Sequence, residues 1–270
     1  MVSILKKVSS KSIDFYVEQN LDDFYTKCAE HSNFSSHIDE KISWILAKNS
    51  EWPDCIFRAN LEHLKIGNEI KNIKRLIKKG KAPNGWTIGP LTKPYGLGNL
   101  LEENGFSNVY HQAGMALDLE ELKYQVSDEN KLVVEIVKDT EHLKQWAGVV
   151  SSVFSIKIDF ELMEYLHVAP EAKFFIGNLD GKHVSSLLLY LSSGVAGLHA
   201  VSTLKEYRSR GFGLAISKIA LINAFKIGYE VGVLQASTLG ERVYRKLGFK
   251  KYCDIFSYEI DKRDFISNNL

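Results

Sequence analysis

The segment that most narrows the folds open to this chain is Arg208-Ser209-Arg210-Gly211-Phe212-Gly213, set between an apolar run ending at Thr203 and another beginning at Leu214. A strand that ends, two glycines two residues apart and a helix that begins bring consecutive backbone N–H groups to one helix N-terminus. Such groups have no intrahelical partner, and with the positive end of the helix dipole they favour an anion such as a pyrophosphate. Glycine lets the backbone approach that group closely. Two familiar phosphate loops do not fit. A dinucleotide fingerprint needs its third glycine where Ile216 stands, and no glycine-rich loop here leads into Gly-Lys-Ser/Thr. A tight turn without a ligand is the alternative reading of the two glycines.

The flanking text predicts a sheet. Residues 173–178 and 184–191 are apolar runs on either side of Asp180-Gly181, a hairpin-turn signal. A strand over 197–203 follows, then a helix over 214–227, a short strand over 231–236, a helix over 238–247 and an extended segment over 249–260. Upstream, 132–137 reads as a strand and 141–154 as a helix, with Asp139 or Thr140 as its N-cap. The order predicts an α/β (α+β) sheet domain. The charged stretch 118–130, with a turn at 127–130, reads as a linker. The 270 residues therefore divide near residue 128 into 1–128 and 129–270.

The first half carries less punctuation. Ile66, Ile70, Ile73 and Ile77 form one helical face, and Lys71, Lys74, Arg75, Lys78 and Lys79 cover the rest. This basic run reads as a solvated face, the alternative being a phosphate or nucleic-acid contact. Gly89 to Thr92, then Leu97, Leu100 and Leu101, then Gly105-Phe106 echo Gln235 to Thr238, Leu239, Val243 and Tyr244, and Gly248-Phe249. Both stretches read as a strand end, a capped helix, a Gly C-cap and a buried Phe, so the halves are read as a diverged tandem repeat, with chance resemblance as the alternative.

With 34 basic against 33 acidic residues, the net charge of +1 argues against nucleic acid or an anionic membrane as partner. Cys28, Cys55 and Cys253 are odd in number and form no CxxC pair, which supports neither a disulfide framework nor a cysteine-rich metal site. Two early lysines interrupt any signal peptide, and the run 184–201 is broken by serines, Gly194, Gly197 and His199. A soluble, cytoplasmic protein is expected.

From Leu198 to Phe249 the pieces 198–203, 206–213, the helix from Leu214, 233–237 and 243–249 resemble, in order and spacing, the GNAT superfamily of acyl-CoA acyltransferases. The resemblance implies a mixed, mostly antiparallel central sheet flanked by helices, here as two tandem GNAT-like domains. It implies acetyl-CoA as cosubstrate and no metal. Backbone groups of Val201, Ser202 and Thr203 would meet the pantetheine arm and the acyl carbonyl. The amides of Ser209, Arg210, Gly211, Phe212, Gly213 and Leu214 would hold the pyrophosphate, with Ser237 counted in the same cofactor site. Arg208 fills the leading position of the motif, either on phosphate or as an exposed salt-bridging arginine.

Tyr244 matches the tyrosine that many members use to protonate the departing thiolate, the alternative being a tyrosine buried for packing. A thiol near pKa 8.5 and a phenol near 10 are close enough for that transfer. The strand 198–203 resembles that of arylalkylamine acetyltransferases, in which a histidine at the place of His199 is implicated in deprotonating the amine. An imidazole titrates in the right range for this, although His199 could equally face a core or solvent. The acceptor wall is expected from 154–168, including Asp159, Glu161, Glu164 and His167, and from a final hairpin over 252–258. The first half has Leu101 where the second has Tyr244, and it lacks the loop, so it is expected to be a degenerate copy that shapes the acceptor cleft or stabilises the pair. The expected activity is N-acetylation of a primary amine of a small molecule or peptide N-terminus, by direct attack in a ternary complex, in a monomer or homodimer. A non-catalytic acyl-CoA sensor or scaffold is the alternative.

Overall fold

The computed structural model describes residues 4–8, 12–62, 64–122, 131–261 and 263. The boundary set near residue 128 and the turn at 127–130 lie outside them. The first half runs α1 (Ile13–Ala29), β1 (Phe34–His37), β2 (Ser43–Ala47), β3 (Cys55–Phe57), α2 (Ile66–Lys78), β4 (Gly85–Ile88), α3 (Leu97–Glu103) and β5 (Ser107–Asp118). The second runs β6 (Val133–Ile136), α4 (Thr140–Phe154), α5 (Phe160–His167), β7 (Ala172–Leu179), β8 (Lys182–Ser192), β9 (Val195–Thr203), α6 (Phe212–Lys226), β10 (Val231–Ala236), α7 (Thr238–Leu247) and β11 (Lys250–Glu259). Residues 118–122, part of the expected linker, instead belong to the fold: Asp118 ends β5 and Leu119 is buried in the short 3₁₀ turn after it.

Local chemistry sets most of these elements. Asp139 caps α4 by accepting from the His142 amide, and Ser237 caps α7 by accepting from Gly240. Asp180 and Gly181 take positive φ in the two-residue turn between β7 and β8. The alternation in β7 and β8 divides the core between two faces. Phe174, Ile176, Leu188 and Tyr190 pack with Phe24, Trp146 and Leu162 from α1, α4 and α5. Phe175, Leu187, Leu189 and Leu191 pack with Ile216, Leu221 and Leu247 from α6 and α7. A strand covered on both faces needs no polar side, which is why 187–191 reads as one continuous apolar run. The four isoleucines of α2 are buried with Trp86, Leu101 and Phe106 in a further core.

All the strands form one sheet in the order β1-β2-β3-β4-β11-β5-β10-β9-β8-β7-β6, antiparallel at every junction except β3–β4 and β9–β10. Both halves follow the same path. β1, β2 and β3 correspond to β7, β8 and β9; a helix, α2 or α6, crosses to a parallel strand, β4 or β10. A second helix, α3 or α7, then leads into a long final strand, β5 or β11. Both second helices end alike, with Gly105 or Gly248 at positive φ and the amide of Phe106 or Phe249 donating to the carbonyl of Leu101 or Tyr244. The final strands are exchanged: β5 of the first half lies against β10, and β11 of the second against β4, with β5 and β11 paired along most of their length. A last hairpin was expected over 252–258; that segment is instead the central strand β11, bonded to two strands of the other half. No helix among the described residues is long and apolar enough to cross a membrane.

Candidate active site

β9 and β10 are paired only through Gly232–Ala196, Val233–Gly197 and Leu234–Leu198. Beyond Leu198 the two strands part. β9 continues to Thr203 bonded only to β8, and a register shift there is absorbed where Ala200 takes φ of 49°. The other edge of β9 has no strand partner among the described residues from His199 to Thr203, and His199, Ala200 and Val201 line an open cleft. Ser202 is buried, with its hydroxyl 2.5 Å from that of Ser186, while Val201 and Thr203 are half-buried.

α6 begins beside the end of β9, where a Cβ at Gly213 would lie 3.8 Å from the Thr203 hydroxyl. Gly211 is its N-cap at φ of 80°, no side chain caps it, and the first helical bond is from the Ala215 amide to the Gly211 carbonyl. The amides of Phe212, Gly213 and Leu214 therefore have no intrahelical partner. The helix starts two residues earlier than its apolar pattern indicates, because the side chain of Phe212 is already buried against Leu179 and Val184. Ser209 also takes positive φ. Arg208 is exposed and donates from Nε to the Thr203 carbonyl at 3.2 Å, tying the loop to the end of β9. The Arg210 guanidinium lies over the Tyr207 and Phe212 rings. Ser237 reaches the cleft, but its hydroxyl is occupied by the Gly240 amide at 3.1 Å.

Between the splayed strands lies a cavity of about 590 Å³. Its wall brings together Leu198, His199, Ala200 and Val201 of β9, Gln235 and Ala236 of β10, and Tyr244 of α7. The first half contributes Leu21, Phe24 and Tyr25 of α1, Glu51 and Trp52 between β2 and β3, and Tyr110 and Gln112 of β5. α4 adds Val150 and Phe154. Asp159, Glu161, Glu164 and His167 are not part of the wall. Asp159 caps α5 and, with Glu161, accepts from Asn33. None of the first-half wall carries a motif in the sequence, because each residue reaches the cavity from a helix, a turn or a strand whose place is set by packing and pairing far along the chain.

Burial pushes the Tyr244 phenol well above its ordinary value. The nearby Ser217 hydroxyl opposes this, although no hydrogen bond of normal geometry joins the two. His199 is 7 % exposed, stacked on Phe24 at 5.0 Å, and burial lowers its imidazole to about 4. Its Nε2 lies 2.9 Å from Oδ1 of Asn20, a residue with no solvent exposure. The sequence does carry a signal for Asn20: it is the one polar residue in the stripe Ile13, Val17, Asn20, Phe24, Cys28 on α1.

In the first half, chain segments bridge the corresponding ends of β3 and β4. After β4 the chain turns back across the end of β3, with the Lys93 amide donating to the Ala59 carbonyl at 2.8 Å and the Leu61 amide to the Lys93 carbonyl at 3.1 Å. Glu18 of α1 holds the same segment by accepting from the Leu91 amide at 2.5 Å.

No protein-family model matches the sequence, and no curated protein is similar to it. Solved structures are similar in fold. A GCN5-related N-acetyltransferase from Kribbella flavida superposes with a TM-score of 0.71 at 14% identity, covering 90% of this chain and 95% of its own. Another from Sphaerobacter thermophilus gives 0.63 at 12% identity over 95% of both chains. A glucosamine N-acetyltransferase region of a fungal multi-domain β-N-acetylglucosaminidase gives 0.57 at 11% identity, covering 95% of this chain and 38% of that one. At these identities the likeness shows the fold: the chain has the GNAT fold along nearly its whole length.

Proposed function

We propose that this chain, built on the GNAT fold, is an acyl-CoA-dependent N-acyltransferase. It uses acetyl-CoA and acetylates a primary amine of a small molecule or a peptide N-terminus by direct attack in a ternary complex. One observation carries this: the uncapped N-terminus of α6 lies beside Thr203, at the end of β9 that has parted from β10, and the cavity along that splay has both His199 and Tyr244 on its wall. The residues present fit the cosubstrate. Three unpartnered amides at a helix N-terminus suit a pyrophosphate, and an unpaired strand edge suits an amide-bearing arm.

When bound, acetyl-CoA supplies the activated acyl thioester. The amides of Phe212, Gly213 and Leu214 hold its phosphates, and the open edge at Val201, Ser202 and Thr203 orients the arm and polarises the acyl carbonyl. An alkylammonium has a pKa of about 10, so the acceptor must lose a proton before or during attack. The first proton is lost to solvent, so the acceptor attacks as the free amine, and His199, kept neutral by burial, takes the second as the nitrogen–carbon bond forms. Tyr244, kept protonated, donates to the sulfur as the carbon–sulfur bond breaks and regains a proton from solvent before the next turnover. The burial that raises the phenol also raises a thiol in the same place, so their affinities for the proton stay comparable.

Among the described residues lining the cavity, Glu51 is the only acidic side chain and none is lysine or arginine, and Phe24, Tyr25, Trp52, Tyr110 and Phe154 supply aromatic surface. That lining favours a cationic amine with an apolar body over an anionic acceptor. Residues 1–128 are read as a degenerate GNAT-like unit that lost the cofactor loop and the acid, and now forms one side of the acceptor cavity.

Purified protein given acetyl-CoA and a panel of amines should release free thiol. Binding of acetyl-CoA without thiol release on any amine would instead make the chain a sensor or scaffold.

A further inference from the structure

The hydrogen bond between Asn20 and His199 has a direction that the surrounding groups fix. Asn20 Nδ2 donates to the Tyr190 carbonyl at 3.2 Å and to the Ser192 hydroxyl at 2.8 Å. A carbonyl accepts only, so the amide nitrogen belongs on that side, and Oδ1 is the atom 2.9 Å from His199 Nε2. An amide oxygen also accepts only. The imidazole therefore carries its hydrogen on Nε2, and Nδ1 alone keeps a lone pair. The ring cannot swivel to change this, being stacked on Phe24 at 5.0 Å and edge-on to Tyr190 at 6.2 Å.

The backbone makes room for this bridge. A Cβ at Gly197, two residues before His199 on the same face of β9, would stand 1.8 Å from Asn20 Oδ1 and 2.8 Å from His199 Nε2. Glycine at 197 is the residue that lets α1 of the first half reach the imidazole of the second. The partner is moreover a neutral amide on a helix that carries Glu18, Asp22 and Asp23 close by. A carboxylate at position 20 would stabilise the imidazolium and leave a protonated ring unable to accept a proton. The titratable groups around the ring are Tyr190 of β8, Tyr25 and Asp23 of α1, Tyr244 of α7 and Glu51 at the cavity wall. None of them shifts it; burial alone does.

We propose that Asn20 is a positioning residue that holds His199 in its Nε2–H form, making Nδ1 the atom that accepts the proton leaving the acceptor amine. The catalytic consequence rests on the acyltransferase reading; the tautomer does not. In each turnover the amine proton would pass to Nδ1, and the imidazolium would return it to solvent once the acetylated product forms.

The test is ¹⁵N–¹H correlation of the histidine rings in the whole protein, which reads the tautomer directly and needs no substrate. The expected result is the Nε2–H form for His199 at neutral pH. Asn20→Asp should raise its titration by at least one pH unit and move the acidic limb of the kcat profile upward. Asn20→Leu should mix the tautomers and lower kcat about tenfold with the acetyl-CoA KM unchanged. An Nδ1–H form in the unmodified protein, or titration unchanged by Asn20→Asp, would overturn the proposal. Full turnover in His199→Gln would remove His199 as the base while leaving the tautomer assignment standing, so the two failures are distinguishable.

Discussion

At the residue scale, the two groups assigned to chemistry are both pushed towards their neutral forms by burial. Tyr244→Phe keeps the packing against Phe249 but removes the donor. It is expected to lower kcat about tenfold or more with acetyl-CoA affinity unchanged, as steady-state kinetics and calorimetry would show. An unaltered rate would leave the phenol with packing alone. A second buried pair acts on stability. Glu18 and Asp22 are both raised, chiefly by burial, to about 7 and about 8. The folded protein therefore binds protons that the unfolded chain, with ordinary carboxylates, has already lost above pH about 4.5. Their contribution is present at low pH and declines as the pH rises through 7 to 8. Denaturant midpoints across pH 5–9 should show that decline from these groups, and Glu18→Gln, which can still accept from the Leu91 amide, should flatten it. An identical slope in the variant would place the pH dependence elsewhere.

At the element scale, the uncapped start of α6 and the capped end of α7 do different work. Gly211 combines φ of 80° with a place among the amides assigned to phosphate. Gly211→Glu is expected to abolish acetyl-CoA binding by calorimetry, through strain, blockage and repulsion together; retained affinity would move the phosphate site elsewhere. Gly248 has φ of 105° and would put a Cβ 3.2 Å from Leu117 of the other half. Gly248→Ala should cost about 1 kcal/mol of stability, seen as a lower Tm, and leave acetyl-CoA affinity within twofold. These elements were legible in the sequence because glycines, caps and apolar periodicity act within a few residues. The helix over 238–247, the hairpin at 180–181 and the isoleucine face of 66–77 all follow from such local rules. The wall of the cavity did not, since Trp52, Tyr110 and Gln112 reach it only through pairings made far along the chain.

At the scale of the whole molecule, the exchange of β5 and β11 makes each half complete the sheet of the other. Residues 131–270 expressed alone would leave one edge of β10 and both edges of β11 without partners, along with the apolar side chains of β5 missing from the core. They are expected to be insoluble or unfolded by circular dichroism alone, and to recover structure when co-expressed with residues 1–122. A soluble, folded second half would show the interlock to be dispensable. The sequence by itself determined the α/β character and the loop-to-helix junction at Gly211, because hydrogen-bonding and dihedral preferences there are satisfied by neighbours in the chain, while Tyr244 and His199 became candidates through the resemblance to the acyltransferase family. Only the tertiary structure decided that the halves swap their last strands, that α1 and β5 help to wall the cavity, and that Asn20 faces His199. Those contacts join residues more than a hundred positions apart, and nothing in the local free energy of a strand or helix specifies which distant surface it will cover.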